Sequence, residues 1–167
     1  MEKIIRDLAE RYKIDIRLIC EREIMNRAEI AQLSRSRLVT IGAHSRTHAQ
    51  LSQLDTASLA YELVSSREAI EEMTGRSCIH CSYPYGGGDN VGPREFEAAA
   101  AAGFKTGLTT RRDLVIESDK NHLMALPRIP LDGDMQNIRV IRAQLSGVPM
   151  ALRRGLEHLK NISKPSF

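Results

Sequence analysis

Residues 38–43, LVTIGA, are a nearly unbroken apolar run that stops at His44. A run this short and this apolar predicts a strand buried on both faces, and such strands belong to parallel sheets covered by helices. The chain then keeps alternating. Asp55 stands where a helix N-cap would stand, apolar Leu59, Leu63, Ile70 and Met73 drift round one broad face, and Gly75 closes that helix. CIHCSYP at 78–84 predicts the next strand, and YGGGDNVG at 85–92 a glycine-rich loop. Pro93 fits the first turn of a helix through Ala102, with Gly103 as its C-cap, and FKTGLTT at 104–110 predicts another strand. Strands separated by helices predict an α/β layer or barrel, in which chemistry gathers where strands end, as at His44.

The flanks read differently. Residues 2–12 predict a helix with Ile4, Ile5, Leu8 and Ala9 on one stripe; Ile14, Ile16 and Leu18 alternate like a short strand, and AEIAQL at 28–33 is helical again. After the loop LMALPRIPL at 123–131, two helical patterns at 137–145 and 148–161 are separated by Gly147 and Pro149. At 167 residues, 42% hydrophobic and 27% charged, the chain is predicted to form one domain, residues 1–167, rather than a disordered segment. A net charge of +3, with the pairs Arg111-Arg112 and Arg153-Arg154 lacking interleaved aromatics, argues against a nucleic-acid partner. No run approaches the ~20 apolar residues of a membrane span. The start MEKIIRDLAERYK has no apolar signal core, and three cysteines are too few for a secreted disulfide framework. The expectation is a cytoplasmic protein, or an exported or cell-envelope one if the true N-terminus lies elsewhere.

Two features carry chemistry. His44 and His48, four apart after the first strand, can lie on one helical turn and donate two imidazole nitrogens to one Zn²⁺; an isolated pair equally fits surface histidines. Ser45 and Thr47 are candidates to orient those rings or to cap the loop. Further on, Tyr83-Pro84-Tyr85-Gly86 ends a strand with free backbone N–H groups suited to an oxyanion, and Tyr83 and Tyr85 are candidates to stack on a sugar ring. Cys78 and Cys81, with His80 between them, suggest a metal or redox pair, but on one strand they would point to opposite faces, so burial as small apolar side chains is expected.

Together GAHSRTHAQL and SYPYGGGDNVG, with LPRIPL beyond, resemble the NodB-like polysaccharide deacetylases, a carbohydrate esterase family. The resemblance covers about residues 38–131 and implies an incomplete, distorted (β/α) barrel with an extra helical tail at 132–167. It implies that His44 and His48 bind a divalent metal, usually zinc, and that Tyr85 donates its backbone N–H to the oxyanion. It places Arg128 nearest the site and leaves His122 as the only nearby histidine for a general acid. The implied reaction removes N-acetyl groups from an amino-sugar polymer or oligosaccharide.

The family also opens with a strand ending in Asp-Asp, one carboxylate acting as base and the other as metal ligand. This chain contains no Asp-Asp. Asp7 and Asp15 are the only aspartates before His44, and residues from about 12 to 42 resemble the stretch just upstream of the histidine motif. The site is therefore expected to be incomplete and activity weak or absent, with Asp89 in the glycine-rich loop the best substitute base. The competing reading is a non-catalytic carbohydrate-binding or structural fragment that self-associates as a homodimer, covering the missing strands.

Overall fold

The computed structural model describes residues 2–130, 133 and 137–162. Leu131, the expected end of the motif-bearing stretch, and tail residues 132, 134–136 and 163–167 lie outside the described residues.

Three short helices come first: α1 (Glu2–Arg11), α2 (Ile16–Glu23) and α3 (Arg27–Ser34). The alternation at Ile14, Ile16 and Leu18 is overridden by a local cap. Asp15 accepts a hydrogen bond from the Leu18 N–H at 3.1 Å and starts a helix where a strand was expected. At α3, Asn26 and Glu29 form a reciprocal capping box, at 3.0 and 2.7 Å.

Helix α4 (Thr56–Thr74) follows the expected plan: Asp55 accepts from the Ser58 N–H at 2.8 Å, and Gly75 ends it at φ 64°. Strand β1 (His80–Ser82), helix α5 (Pro93–Ala101) and strand β2 (Thr106–Leu108) complete a β-α-β unit. The α5 cap is Ala102, and Gly103 lies one residue beyond it at φ 89°, where a left-handed backbone favours glycine.

β1 and β2 run parallel, with His80 opposite Thr106, Cys81 opposite Gly107 and Ser82 opposite Leu108. Single parallel bridges extend this ribbon on both sides, Ala43 to Cys81 and Leu108 to Leu126. The expected strand at 38–43 thus contracts to one bridging residue, Ala43, whose N–H donates to His80 O at 2.9 Å and whose carbonyl accepts from Ser82 N at 2.9 Å. Its earlier residues are not buried on both faces, and Leu38 is 96% exposed. A strand holds its register through neighbours on its flanks, and among the described residues only β1 flanks this one. The result is a partial α/β fold.

The core lies between the ribbon and helices α4 and α5. Leu59 and Leu63 of α4, Ala99 of α5, Cys81 of β1 and Phe104 pack with Leu51, Tyr83 and Val91. Cys78 and Cys81 are both buried in this cluster, Cys81 within β1 and Cys78 just before it, as small apolar side chains. Burial raises both thiol pKa values, that of Cys81 to about 12, whereas Cys20 is exposed. An aromatic disulfide reagent at neutral pH is expected to label one thiol in the native chain and three after denaturation. Fast labelling of two or more native thiols would contradict this packing.

Beyond the ribbon, helices α6 (Ile138–Leu145) and α7 (Val148–Ile162) meet at Gly147, at φ 75°. Met150 is buried, Arg153 donates to Arg112 O at 2.9 Å, and Arg154 pairs with Asp113 at 3.6 Å.

Candidate functional site

The chain leaves the Ala43 bridge directly into His44, and residues 44–48 form a bend, not the helical turn that their spacing suggested. Two non-glycine residues in it, Ser45 and His48, take left-handed backbones at φ 58° and 59°. Such residues cost of order 1 kcal/mol each and persist where surrounding contacts impose them. The contact here is Glu62 of α4, only 7% exposed. Its carboxylate accepts from Arg46 N at 2.8 Å, Thr47 N at 2.9 Å and the Thr47 hydroxyl at 2.7 Å. Burial alone would raise the Glu62 pKa, but the bonds from Thr47 and Arg46 outweigh it, and the net shift is downward. Thr47 therefore shapes the loop through Glu62.

The bend brings the two rings together. The His44 and His48 centroids are 4.9 Å apart, with planes inclined at 70°. His44 Nδ1 lies 2.8 Å from the Ser82 carbonyl oxygen at the end of β1. The Ser82 hydroxyl lies at the same 2.8 Å, so Nδ1 is held on Ser82 and Nε2 is the ring nitrogen left for a ligand.

Tyr83 and Tyr85, expected to share one role, have opposite fates. Tyr83 is 1% exposed, donates its hydroxyl to Met124 O at 2.9 Å, and has its pKa pushed up by burial; it is a core residue and cannot stack on a sugar. Tyr85 is 57% exposed, with its ring centroid 5.1 Å from that of His48. It too is left-handed, at φ 54°. The turn is closed by Gly86, which donates to Tyr83 O at 3.1 Å and accepts from Thr110 N at 2.8 Å. A Cβ at Gly86 would come within 3.0 Å of Tyr83 O, so the close approach needs glycine. Among the described residues none accepts from the Tyr85 N–H.

A cavity of about 470 Å³ opens beside these groups, lined by His44, Ser82, Leu108 and Arg128 among others. Arg128 is anchored by its own N–H on Arg111 O at 3.0 Å and leaves its side chain exposed. His122 lines a separate cavity of about 600 Å³ between α5 and the turns at 117–125, with Phe96 and Phe104. Asp89 is exposed and lines neither of these cavities. Asp15 is engaged as the α2 cap, and Asp7 sits exposed on α1.

Two imidazoles side by side, one held through Nδ1 by Ser82, suit a zinc ion's preference for nitrogen donors. Among the described residues no third His, Cys, Asp or Glu joins them. A catalytic zinc takes three protein ligands as a rule, so these residues fit two corners of such a site and leave it short of one.

Comparison with known proteins follows the same lines. A family model described as polysaccharide deacetylase matches residues 5–107. Among curated proteins, none matches. Among solved structures, a polysaccharide deacetylase from Bacillus cereus superposes at a TM-score of 0.55 with 22% identity, covering 63% of this chain and 32% of that one. The Streptococcus pyogenes deacetylase PplD, solved with acetate, gives 0.55 and 21%, covering 68% and 49%. A de-N-acetylase from Aggregatibacter actinomycetemcomitans gives 0.57 and 13%, covering 72% and 53%. These likenesses speak for the fold, and the chain spans from about a third to about half of the length of these proteins.

Proposed function

The chain belongs to the polysaccharide deacetylase family, and from that premise we propose that it carries the imidazole and oxyanion half of a metal-assisted deacetylase site for N-acetylated amino-sugar polymers. The observation that supports this most is the meeting of His44 and His48, ring centroids 4.9 Å apart, with the exposed Tyr85 ring edge-to-face with His48 at 5.1 Å. In this reading the Tyr85 ring forms a wall for the sugar, and the Tyr85 backbone N–H donates to the oxygen of the N-acetyl carbonyl as negative charge develops there. Ser82 holds His44 with Nε2 outward, and Glu62 fixes the loop that keeps His48 beside it. Arg128 orients polar groups of the polymer from the cavity wall. A divalent metal, zinc by the nature of the donors, supplies carbonyl polarisation and a lowered water pKa when bound. His122, in its separate cavity, takes no part.

Among the described residues no carboxylate stands free beside the histidines to take a proton from water, Glu62 being engaged by Arg46 and Thr47, and loss of a general base alone lowers rates by about 10²–10⁴-fold. The chain by itself is therefore expected to release little or no acetate from N-acetylglucosamine oligomers, with or without zinc, while binding zinc weakly through its two histidines. Calorimetric zinc titration and an acetate assay on wild type, His44→Ala and Asp89→Ala check both statements. Zinc binding unchanged in His44→Ala would remove the metal from this reading. Robust zinc-dependent release that His44→Ala abolishes would show the site to be sufficient, and parallel loss in Asp89→Ala would make Asp89 the base.

A second reading, a non-catalytic carbohydrate-binding fragment that pairs with a second copy, draws on the exposed apolar side chains of the first helices, Ile4, Ile5, Leu18 and Ile19 being each half or more exposed. A specific interface of more than about 1,000 Å² would cover them. Light scattering that shows a monomer at micromolar concentration would dismiss it.

A further inference from the structure

Helices α6 and α7 carry more positive charge than the chain as a whole. From Ile138 to Ile162 the sequence holds five basic residues, Arg139, Arg142, Arg153, Arg154 and Lys160, against the single acidic Glu157. That is a net +4 where the entire chain is +3, so everything outside these two helices sums to −1. The chain's net positive charge is thus carried by one structural unit.

The same unit exposes apolar side chains in helical register. On α7, Val148, Leu152 and Leu156 recur at every fourth position and are 56, 65 and 60% exposed. At 100° per residue they share one face, and Met150, which is 9% exposed, lies on the opposite one. Met150, with Arg154 on Asp113 and Arg153 on the Arg112 carbonyl, attaches the helix to the body, so the apolar stripe looks away from it. On α6, Ile138 and Leu145 share a face, 58 and 59% exposed, flanked by exposed Arg142 and Arg139. Among the described residues the Arg139 and Arg142 guanidinium groups meet no hydrogen-bond or ion-pair partner, and neither stripe is covered.

We propose that α6 and α7 form a docking element for an anionic lipid surface, with the Val148-Leu152-Leu156 and Ile138-Leu145 stripes entering the headgroup boundary and Arg139 and Arg142 meeting lipid phosphates. Helices with an apolar stripe flanked by arginines lie in the interface plane, held by apolar burial and by attraction to anionic headgroups. Neither helix is long and apolar enough to span a bilayer, which makes the contact a surface one. Charge complementarity selects this occupant: a second copy would set its own Arg139 and Arg142 against the same pair, and like charges facing each other repel. The inference stands apart from the deacetylase reading, since it uses no residue of the histidine site.

The test is vesicle flotation of the full chain with phosphatidylcholine alone and with a phosphatidylcholine–phosphatidylglycerol mixture, at low and high salt. Binding is expected only to the anionic vesicles and to weaken in salt. Arg139→Glu combined with Arg142→Glu is expected to lower that binding at least tenfold, roughly the size of two lost headgroup attractions. Leu152→Asp should abolish it, with circular dichroism confirming that each variant folds. Equal binding to neutral vesicles, no binding to anionic ones, or binding untouched by the arginine pair would overturn the proposal. A dimer that Leu152→Asp dissociates would overturn it too, by giving the face to a second copy.

Discussion

Glu62→Ala is expected to destabilise the chain by about 2–4 kcal/mol and to part the two histidines, lowering zinc affinity at least about tenfold. The substitution removes one acceptor and strands three donors at once: Arg46 N, Thr47 N and the Thr47 hydroxyl. Without them nothing imposes the left-handed backbones at Ser45 and His48. His48→Ala makes the contrast, since an exposed side chain away from such networks shifts stability by only about 0.5 kcal/mol while still removing a metal ligand. The pH dependence has a definite sign. Because the folded Glu62 pKa lies below its ordinary value of 4.5, its contribution is complete above that value and is lost as pH falls through the lower folded value. Urea unfolding across that range checks both claims: a wild-type stability that Glu62→Ala leaves within about 0.5 kcal/mol would deny Glu62 its anchoring role.

Gly107→Ala is expected to cost about 3 kcal/mol, a fall in Tm of roughly 6–12 °C for a chain of this size. Gly107 sits mid-strand in β2, opposite Cys81. A Cβ there would lie 2.7 Å from Met124 O and 2.7 Å from Tyr83 Cζ, with the Tyr83 hydroxyl oxygen closer still. One neighbour is backbone and the other a buried ring, so neither gives way cheaply. The clash would also push apart the Tyr83–Met124 hydrogen bond and shift the turn that presents Tyr85. Combining Gly107→Ala with Tyr83→Phe should recover part of the loss, because the nearest clashing atom is gone. A double variant no more stable than Gly107→Ala alone would locate the strain elsewhere.

Much of this was legible in the sequence because local rules went unopposed: Asp55 and Gly75 bound α4, Pro93 opens α5, and the two histidines converge after the first bridge. What was not legible depended on neighbours. LVTIGA has the composition of a central strand, yet pairing is a property of two chains side by side, and only Ala43 finds its partner. Ile14, Ile16 and Leu18 alternate as a strand would, but Asp15 supplies an N-cap and the helix wins. Tyr83 was misjudged by grouping it with Tyr85; counting by twos from buried Cys81 would have turned it inward. Glu62 also left a signal. It falls at helical spacing on the face of α4 that carries Leu59, Leu63 and Ser66, and a carboxylate on a buried face needs donors nearby.

Of the four described non-glycine residues with left-handed backbones, three stand at the site: Ser45, His48 and Tyr85. Glycine would relax each by up to about 1 kcal/mol, offset in part by the freedom it adds to the unfolded chain. An engineer selecting for heat resistance alone would therefore meet a bias toward erasing the histidine and the tyrosine. Thermostable descendants of this chain, chosen without a ligand in the screen, should drift toward quieter loops and lose recognition first, their cores unchanged.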